Sequence, residues 1–265
     1  MSRVCFVIFA HCDAQSPSDI DDMIDNISRF HKDCDFIVNH PTMDHPKIFT
    51  RHRFGILNKS SFIFGAFEEI VSKLTEDQIK SFDHFYLVSA NQYFINPIIV
   101  EKNINYFQFY NTEDWSNSYN GMNTAATVSG FPLKQPYGRW DDKNLYSVLD
   151  IPTPMASNWE SGTLTQEAML LCKKYISTAV NMYPATDLIS LFPGYMALKT
   201  NQAWKYPAFF GTFDPSNRPQ YNHVISQEQV IMKYNEEYSS IKRVNYSKDC
   251  PIKGFIRNNY YKQGK

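Results

Sequence analysis

Residues 4–19 read VCFVIFAHCDAQSPSD and decide the fold class. Val4–Phe9 is a continuous apolar run, typical of a strand that is buried on both faces. Ser18 is predicted as the N-cap of a helix, with Asp21 three residues later. The apolar residues of that helix recur on one face: Ile20, Met23, Ile24, Ile27 and Phe30. Asp35–Asn39 (DFIVN) then predicts a second strand, so the opening is a βαβ unit with parallel strands and a right-handed crossover.

The next segments extend this pattern. Ser60 or Ser61 is the expected cap of a second helix, whose apolar face contains Phe62, Ile63, Ala66, Phe67, Ile70, Val71 and Leu74. His84–Val88 (HFYLV) returns to the sheet. Residues 103–154 are polar, aromatic and rich in Asn, Gly and Pro, which predicts long loops.

Regular structure is predicted again in the second half of the chain. Thr165 is a plausible cap for a helix through Val180, and a further helix is expected over Asp187–Leu198. A last helix should follow Ser226, and a basic segment, residues 241–257, closes the chain.

These elements predict one α/β domain over residues 1–265 with a mostly parallel, Rossmann-like central sheet. Ligands of such sheets bind beyond the carboxyl ends of the strands. That rule selects the loop at His11 and the turn from Ser89 to Tyr93.

Composition excludes several classes of protein. The chain is 43% hydrophobic and 20% charged, as in ordinary globular proteins, and its formal net charge of −1 gives no basic field for nucleic acid. Its five cysteines are scattered without a C-x-x-C pair, so we expect them reduced. Val4–Ala10 is too short for a signal sequence or a transmembrane segment, which predicts a cytoplasmic protein.

Several segments, taken in order, resemble one family. They are FVIFAHCD (residues 6–13), HRFGILNKSSFIFGAFEEIV (52–71), FDHFYLVSANQYFINP (82–97), NWESGTLTQEAMLL (158–171), YPATDLISLF (183–192) and the basic segment with IKRV and PIKGFIR. Together they resemble the core-2/I-branching N-acetylglucosaminyltransferases and their bacterial and viral relatives. Each match is short, and their order carries more weight than any one of them.

The resemblance implies an inverting glycosyltransferase of GT-A type that uses no divalent metal. Residues 1–100 would then form its nucleotide-sugar-binding βαβ half, and residues 101–265 its acceptor and catalytic half. Its base would be a carboxylate in the family's Pro-acidic motif, which corresponds to YPATDLISLF (183–192) in this sequence. Basic side chains late in the chain would neutralise the diphosphate of the nucleotide-sugar donor. The sequence departs from the family at two positions. Gln92 stands where branching enzymes carry Asp, and Asp187 stands where relatives mostly carry Glu.

The residues themselves also favour cation-free chemistry. A metal-dependent transferase needs carboxylates at the end of a central strand, but HFYLV is followed by SANQYF, which has none. Asp33 and Asp35 precede a strand, which is the wrong place for such a site. Asp141 and Asp142 lie in a predicted loop, where a displaced metal site is the alternative to cation-free chemistry. We therefore expect no metal and no cofactor besides the nucleotide-sugar co-substrate.

Two carboxylates are candidates for the general base that inversion requires. Asp187 follows YPAT at a predicted helix start, where a helix-capping role is the alternative. Glu160, in the sequence NWESG, is the rival and would otherwise bind hydroxyl groups of the acceptor.

The remaining candidates are contacts to the two substrates. For the nucleotide-sugar donor we expect Ala10, His11, Asp13, Lys242 and Arg243, with Lys248, Lys253 and Arg257 close behind in the basic segment. A solvated basic tail is the alternative for that segment. For the glycan acceptor we expect Asn91, Gln92 and Trp159, and Trp115 and Trp140 also lie in the loop-rich middle.

Two other functions stay open at this point. One is a glycoside hydrolase in which Glu160 and Asp187 form a carboxylate pair. The other is a degenerate transferase fold that binds glycans without catalysis.

Overall fold

The computed structural model describes residues 2–10, 15–52, 63–110, 148–150, 156–182, 189, 192–210, 225–242, 244–245 and 247–261. Its strands are β1 (Val4–Phe9), β2 (Cys34–Asn39), β3 (Ile48–Thr50), β4 (His84–Ser89), β5 (Gln92–Phe94), β6 (Asn105–Tyr110), β7 (Ala156–Thr165), β8 (Trp204–Lys205), β9 (Phe209–Phe210) and β10 (Ser240–Lys242). Its helices are α1 (Pro17–Phe30), α2 (Ile63–Lys73), α3 (Glu76–Lys80), α4 (Gln166–Met182), α5 (Phe192–Lys199), α6 (Gln227–Asn235) and α7 (Pro251–Tyr260). The fold is α/β.

A seven-stranded, mostly parallel sheet forms the centre, in the order β3-β2-β1-β4-β7-β6-β8. β1 pairs in parallel with β2 on one side and β4 on the other, whereas β7 runs antiparallel to both β4 and β6. The three strands predicted from apolar runs are confirmed as neighbours in one sheet. This arrangement is compatible with a Rossmann-like fold.

Alternate residues of β1 face two different cores, which is why the whole strand is apolar. Cys5, Val7 and Phe9 pack in the cluster that includes α2, α4 and α5. Val4, Phe6 and Ile8 pack in the cluster that includes α1. All six residues are buried, so the expectation of a strand covered on both faces is confirmed.

A three-stranded sheet, in the order β5-β10-β9, stands beside the central one. β10 is antiparallel to β5 and parallel to β9. A third apolar cluster, with Tyr93, Ile241 and Ile256, packs α6 and α7 against this sheet. The small sheet therefore brings a strand from the end of the chain next to the residues that follow β4.

Helix α1 begins earlier than its apolar pattern suggested. The N-cap is Ser16, not Ser18, and the carboxylate of Asp19 accepts hydrogen bonds from the Ser16 backbone N–H (2.7 Å) and hydroxyl (2.8 Å). Pro17 occupies the first turn, where its fixed φ fits a helix and its missing N–H costs nothing. The Asp at position 19, rather than Asp21, completes the cap.

Other boundaries also differ from the predictions. Residues 105–110, expected in a loop, form β6, a central-sheet strand. The helix expected from Asp187 begins at Phe192, and Ile189 lies in a turn. Ser226 does cap α6, and Thr165 Oγ1 accepts from the Ala168 N–H (3.3 Å) at the start of α4. However, α6 is followed by α7, so the basic segment is not a tail.

Over the residues that are described, no helix is long and apolar enough to cross a membrane. The caps proposed for α2, Ser60 and Ser61, lie outside them.

Candidate functional site

The candidate site lies where β1 and β4 end. Ala10 follows β1, is fully buried, and its N–H donates to the carbonyl of Asn39 at the end of β2 (3.0 Å). After β4 the chain turns at Ala90 and Asn91 and enters β5. The carboxyl ends of parallel strands are the usual ligand-binding edge of such a sheet.

A bulge in β7 carries the candidate carboxylate. Tyr106 of β6 is paired with Thr163, but Gln108 is paired with Asn158, so β7 advances five residues while β6 advances two. Ser161, inside the extra length, has φ 62°, a left-handed conformation that is uncommon for a residue with a side chain. Bulges and such backbone angles re-aim side chains and are enriched near functional sites.

The bulge sets Glu160 against Lys242 of β10. The Lys242 ammonium contacts both oxygens of the Glu160 carboxylate. The two side chains are largely buried, with 14% of Glu160 and 22% of Lys242 exposed. Removing opposite charges from water is costly unless they are paired, so their contact offsets part of the cost of this burial.

A buried amide lies beside the pair. Gln92 is 2% exposed, and its Nε2 donates to Ser161 Oγ (2.7 Å) and Ser240 Oγ (2.8 Å), with the Tyr86 hydroxyl at 3.4 Å. Gln92 was predicted in a polar turn as an acceptor contact. It is instead the first residue of β5, and its amide hydrogen bonds within the protein.

The other described candidates are placed as follows. Asn91 lies in the turn, and its Oδ1 accepts from the Ser89 hydroxyl (3.1 Å). Trp159 is 7% exposed and packs edge-on against Phe9, with ring centroids 5.2 Å apart. Its surroundings are those of a packing residue, because little of its ring is exposed for an acceptor to contact.

Several candidates lie outside the described residues, and the structure neither assembles them nor separates them. They are His11, Asp13, Trp115, Trp140, Asp141, Asp142, Asp187 and Arg243. Among the described candidates, Glu160 and Lys242 are the oppositely charged side chains that the structure brings into direct contact.

Much of the basic segment has a structural role. Lys253 is 2% exposed at its side chain, and its Nζ lies 2.9 Å from Asp22 Oδ2 on α1. The Arg257 guanidinium donates to the other oxygen of Asp22 at 2.5 Å. The Lys248 backbone N–H donates to Asp19 Oδ1 (2.7 Å). We call the contacts of Asp22 with Lys253 and Arg257 the α1–α7 clasp; they argue against the alternative of a solvated basic tail for these two residues.

Within the described ranges no group of three or more His, Cys, Asp and Glu side chains could hold a metal ion. Asp35, predicted to precede the strand, lies within β2 and forms an exposed ion pair with Arg3 at 2.8 Å. The described cysteines, Cys5, Cys34, Cys172 and Cys250, are free thiols. Burial raises the pKa of the Cys34 thiol to about 11, which keeps it protonated near neutral pH.

Sequence reasoning found Glu160 and Lys242 separately but did not pair them. The two residues are 82 positions apart, and neither a spacing nor a motif connects them. Ser161 and Ser240 were missed because a serine has no distinguishing sequence signal. The sequence did hold one clue to the bulge: Ser-Gly at 161–162, inside a run that otherwise reads as a strand.

No protein-family model matches the chain, and a search of curated proteins finds no match. What the protein does is therefore inferred from its own residues and their geometry.

Proposed function

We propose that this protein is an inverting, metal-independent glycosyltransferase that moves a sugar from a nucleotide-sugar donor to a hydroxyl group of a glycan. Glu160 is its general base, and Lys242 is a cation that faces the leaving diphosphate. The observation that carries the proposal is the Glu160–Lys242 contact, a largely buried carboxylate and ammonium beside the carboxyl ends of β1 and β4.

Both partners have a part in one displacement step. The Glu160 carboxylate takes the proton of the acceptor hydroxyl as that oxygen attacks the anomeric carbon of the donor. The bond from the anomeric carbon to the diphosphate oxygen breaks on the opposite face, which inverts the configuration. Because the base and the leaving group lie on opposite faces of the anomeric carbon, the Lys242 ammonium must leave the Glu160 carboxylate when the donor binds and turn to the diphosphate. There it offsets the negative charge that develops, a role that preorganised cations perform well in sites with little water.

The character of the pair favours transfer over glycoside hydrolysis. A hydrolase places two carboxyl groups about 5–9.5 Å apart across the scissile bond. Glu160 instead contacts a cation, which suits an anionic leaving group. Asp187 remains the alternative base, since it matches the acidic position of the family motif.

The test is donor turnover by the purified protein. A panel of nucleotide sugars is first screened for thermal stabilisation, because a ligand that binds the folded state raises the unfolding temperature. With the donor found, Glu160→Gln should lower kcat by about 10²- to 10⁴-fold without weakening donor binding. Excess EDTA should leave turnover intact.

The chain offers a matched control in a second Glu–Lys pair, Glu101 and Lys205, which is about half exposed. Glu101→Gln should leave kcat near that of the wild type. If Glu160→Gln also does so, while Asp187→Asn abolishes transfer, then Asp187 is the base. If no nucleotide sugar binds or turns over, the proposed function is wrong.

Lys242 is best tested in the Glu160→Gln background. Lys242→Met alone would leave the Glu160 carboxylate without its ammonium, and that charge would itself repel a diphosphate. In the double variant the pair is neutral, so weaker donor binding than in Glu160→Gln reports the loss of the cation. Equal affinity in the two variants would remove Lys242 from the donor site.

A further inference from the structure

Gln92 occupies a special place with respect to the ion pair. In the antiparallel ladder of β5 and β10, Gln92 lies directly opposite Lys242. Side chains of directly opposed residues share a face of the sheet, with Cβ atoms about 4.5–5.5 Å apart. Gln92 and Lys242 are therefore side-by-side neighbours, and strand pairing rather than a loop holds them there.

The Gln92 amide also connects both halves of the site. Nε2 donates at 2.7 Å to Ser161, the residue after Glu160, and at 2.8 Å to Ser240, two residues before Lys242 on the same face of β10. An amide nitrogen has two hydrogens, and these two serine hydroxyls accept them. One buried group thus holds the bulge of β7 and the strand β10 at a fixed separation.

Gln92 bonds to a residue whose backbone has an unfavourable conformation. Ser161 has φ 62°, and such a conformation persists only where surrounding contacts over-determine it. The short bond from Gln92 to the Ser161 side chain is one such contact. It acts on the residue next to Glu160, so it bears on where that carboxylate points.

We propose that Gln92 is the positioning residue that sets Glu160 against Lys242. Because its amide is uncharged, it does not compete with Glu160 for the Lys242 ammonium. A carboxylate at position 92 would stand opposite Lys242 and compete with Glu160 for the same cation. The catalytic meaning of this role rests on the proposed function, but the positioning itself does not.

The test measures how strongly Glu160 and Lys242 depend on each other. The wild type, Glu160→Gln, Lys242→Met and the double variant form a double-mutant cycle. Urea unfolding of each protein gives the coupling between the two side chains, expressed as a factor in the unfolding equilibrium constant. We expect a coupling of about tenfold in the unfolding equilibrium constant for the wild type, since the pair is largely buried. The same cycle is then repeated in Gln92→Glu and Gln92→Met.

In the Gln92→Glu background the coupling should fall to less than about a third of the wild-type value, because the introduced carboxylate takes the ammonium. In Gln92→Met it should fall by about half, because the side-chain length is kept but both donors are lost. Asn105→Asp is the matched control: Asn105 is another fully buried amide, which bonds with Thr165, Thr200 and Gln202. Asn105→Asp should lower the stability of the protein and leave the coupling between Glu160 and Lys242 unchanged.

A general structural role would lower stability in every variant without changing the coupling. Unchanged coupling in both Gln92 variants therefore overturns the positioning role. If Gln92→Glu is unfolded by circular dichroism, Gln92→Asn replaces it: that side chain keeps the amide but is one carbon too short to bridge both serines, so the coupling should again fall. All of these measurements are made without donor, so a failure of transfer in the wild type overturns the proposed function alone.

Discussion

Gly162 lies against the ring of Phe107 so closely that a Cβ atom at this position would be 2.5 Å from Phe107 Cε1. The same atom would be 2.8 Å from the carbonyl oxygen of Trp159. The first neighbour is a fully buried side chain of β6 and the second is backbone, so neither can move easily. The bulge that carries Glu160 is therefore built around a residue with no side chain.

Gly162→Ala should destabilise the protein by about 1–3 kcal/mol, the usual cost of forcing an extra carbon into a packed core. Urea unfolding followed by circular dichroism measures this. Gly254 is the matched control, since a Cβ there meets nothing within 4 Å in helix α7. Gly254→Ala should stabilise the protein by about 0.5–1 kcal/mol. A cost near zero for Gly162→Ala would mean that the bulge yields freely.

The α1–α7 clasp makes a second prediction. Asp22→Asn should cost about 3–5 kcal/mol, because it removes the carboxylate that the buried Lys253 ammonium and the Arg257 guanidinium both contact. Asp21, the preceding residue, is 63% exposed at its side chain and contacts His45, so Asp21→Asn should change stability by less than about 0.5 kcal/mol. Similar midpoints of chemical unfolding for the two variants would contradict a structural role for the clasp.

His31 predicts a dependence of stability on pH. Burial lowers its pKa to about 4, and its Nε2 accepts a hydrogen bond from the Ile98 N–H at 3.2 Å. In the unfolded chain the pKa is about 6.5, so the unfolded state binds the proton first as the pH falls. The contribution of the neutral ring is complete above that pKa and is lost between about pH 6.5 and pH 4.

His31→Gln removes the titrating group and keeps an acceptor. Between about pH 7 and pH 5 the wild type should lose up to about 2 kcal/mol more unfolding free energy than this variant. His84, whose pKa burial also lowers, acts in the same direction in both proteins and cancels in the comparison. Parallel stability curves for the two proteins would show that His31 does not titrate in this range.

The sequence was informative where burial is continuous. Val4–Phe9 and His84–Ser89 are buried throughout, and a run of consecutive apolar or aromatic positions has few alternatives to a central strand. The strand at 105–110, NYFQFY, was missed because its polar and aromatic residues alternate within a segment dominated by loop-forming composition. Periodicity is a weak signal when only the aromatic rings are apolar.

The site was harder to predict because its contacts are long-range. Gln92 bonds to Ser161 and Ser240, which are 69 and 148 residues away. Its polar character suggested a turn, whereas it is buried and bonded because β10 returns beside β5. Lys253 and Arg257 were predicted either near the donor or in a solvated basic tail. Their ion pairs with Asp22 on α1 could not be predicted, because that residue is at least 231 positions away.

The clasp also affects how the protein is made. Asp22 and Lys253 are separated by 231 positions, so the contact cannot form until nearly the whole of this sequence has left the ribosome. The first βαβ unit can pair its strands much earlier, because its contacts are local. During synthesis the apolar rings that α7 covers, such as Tyr93, stay uncovered for longest. The docking of α7 is thus among the last contacts that can form during synthesis, and we expect a nascent chain stalled before residue 251 to expose these rings to a chaperone.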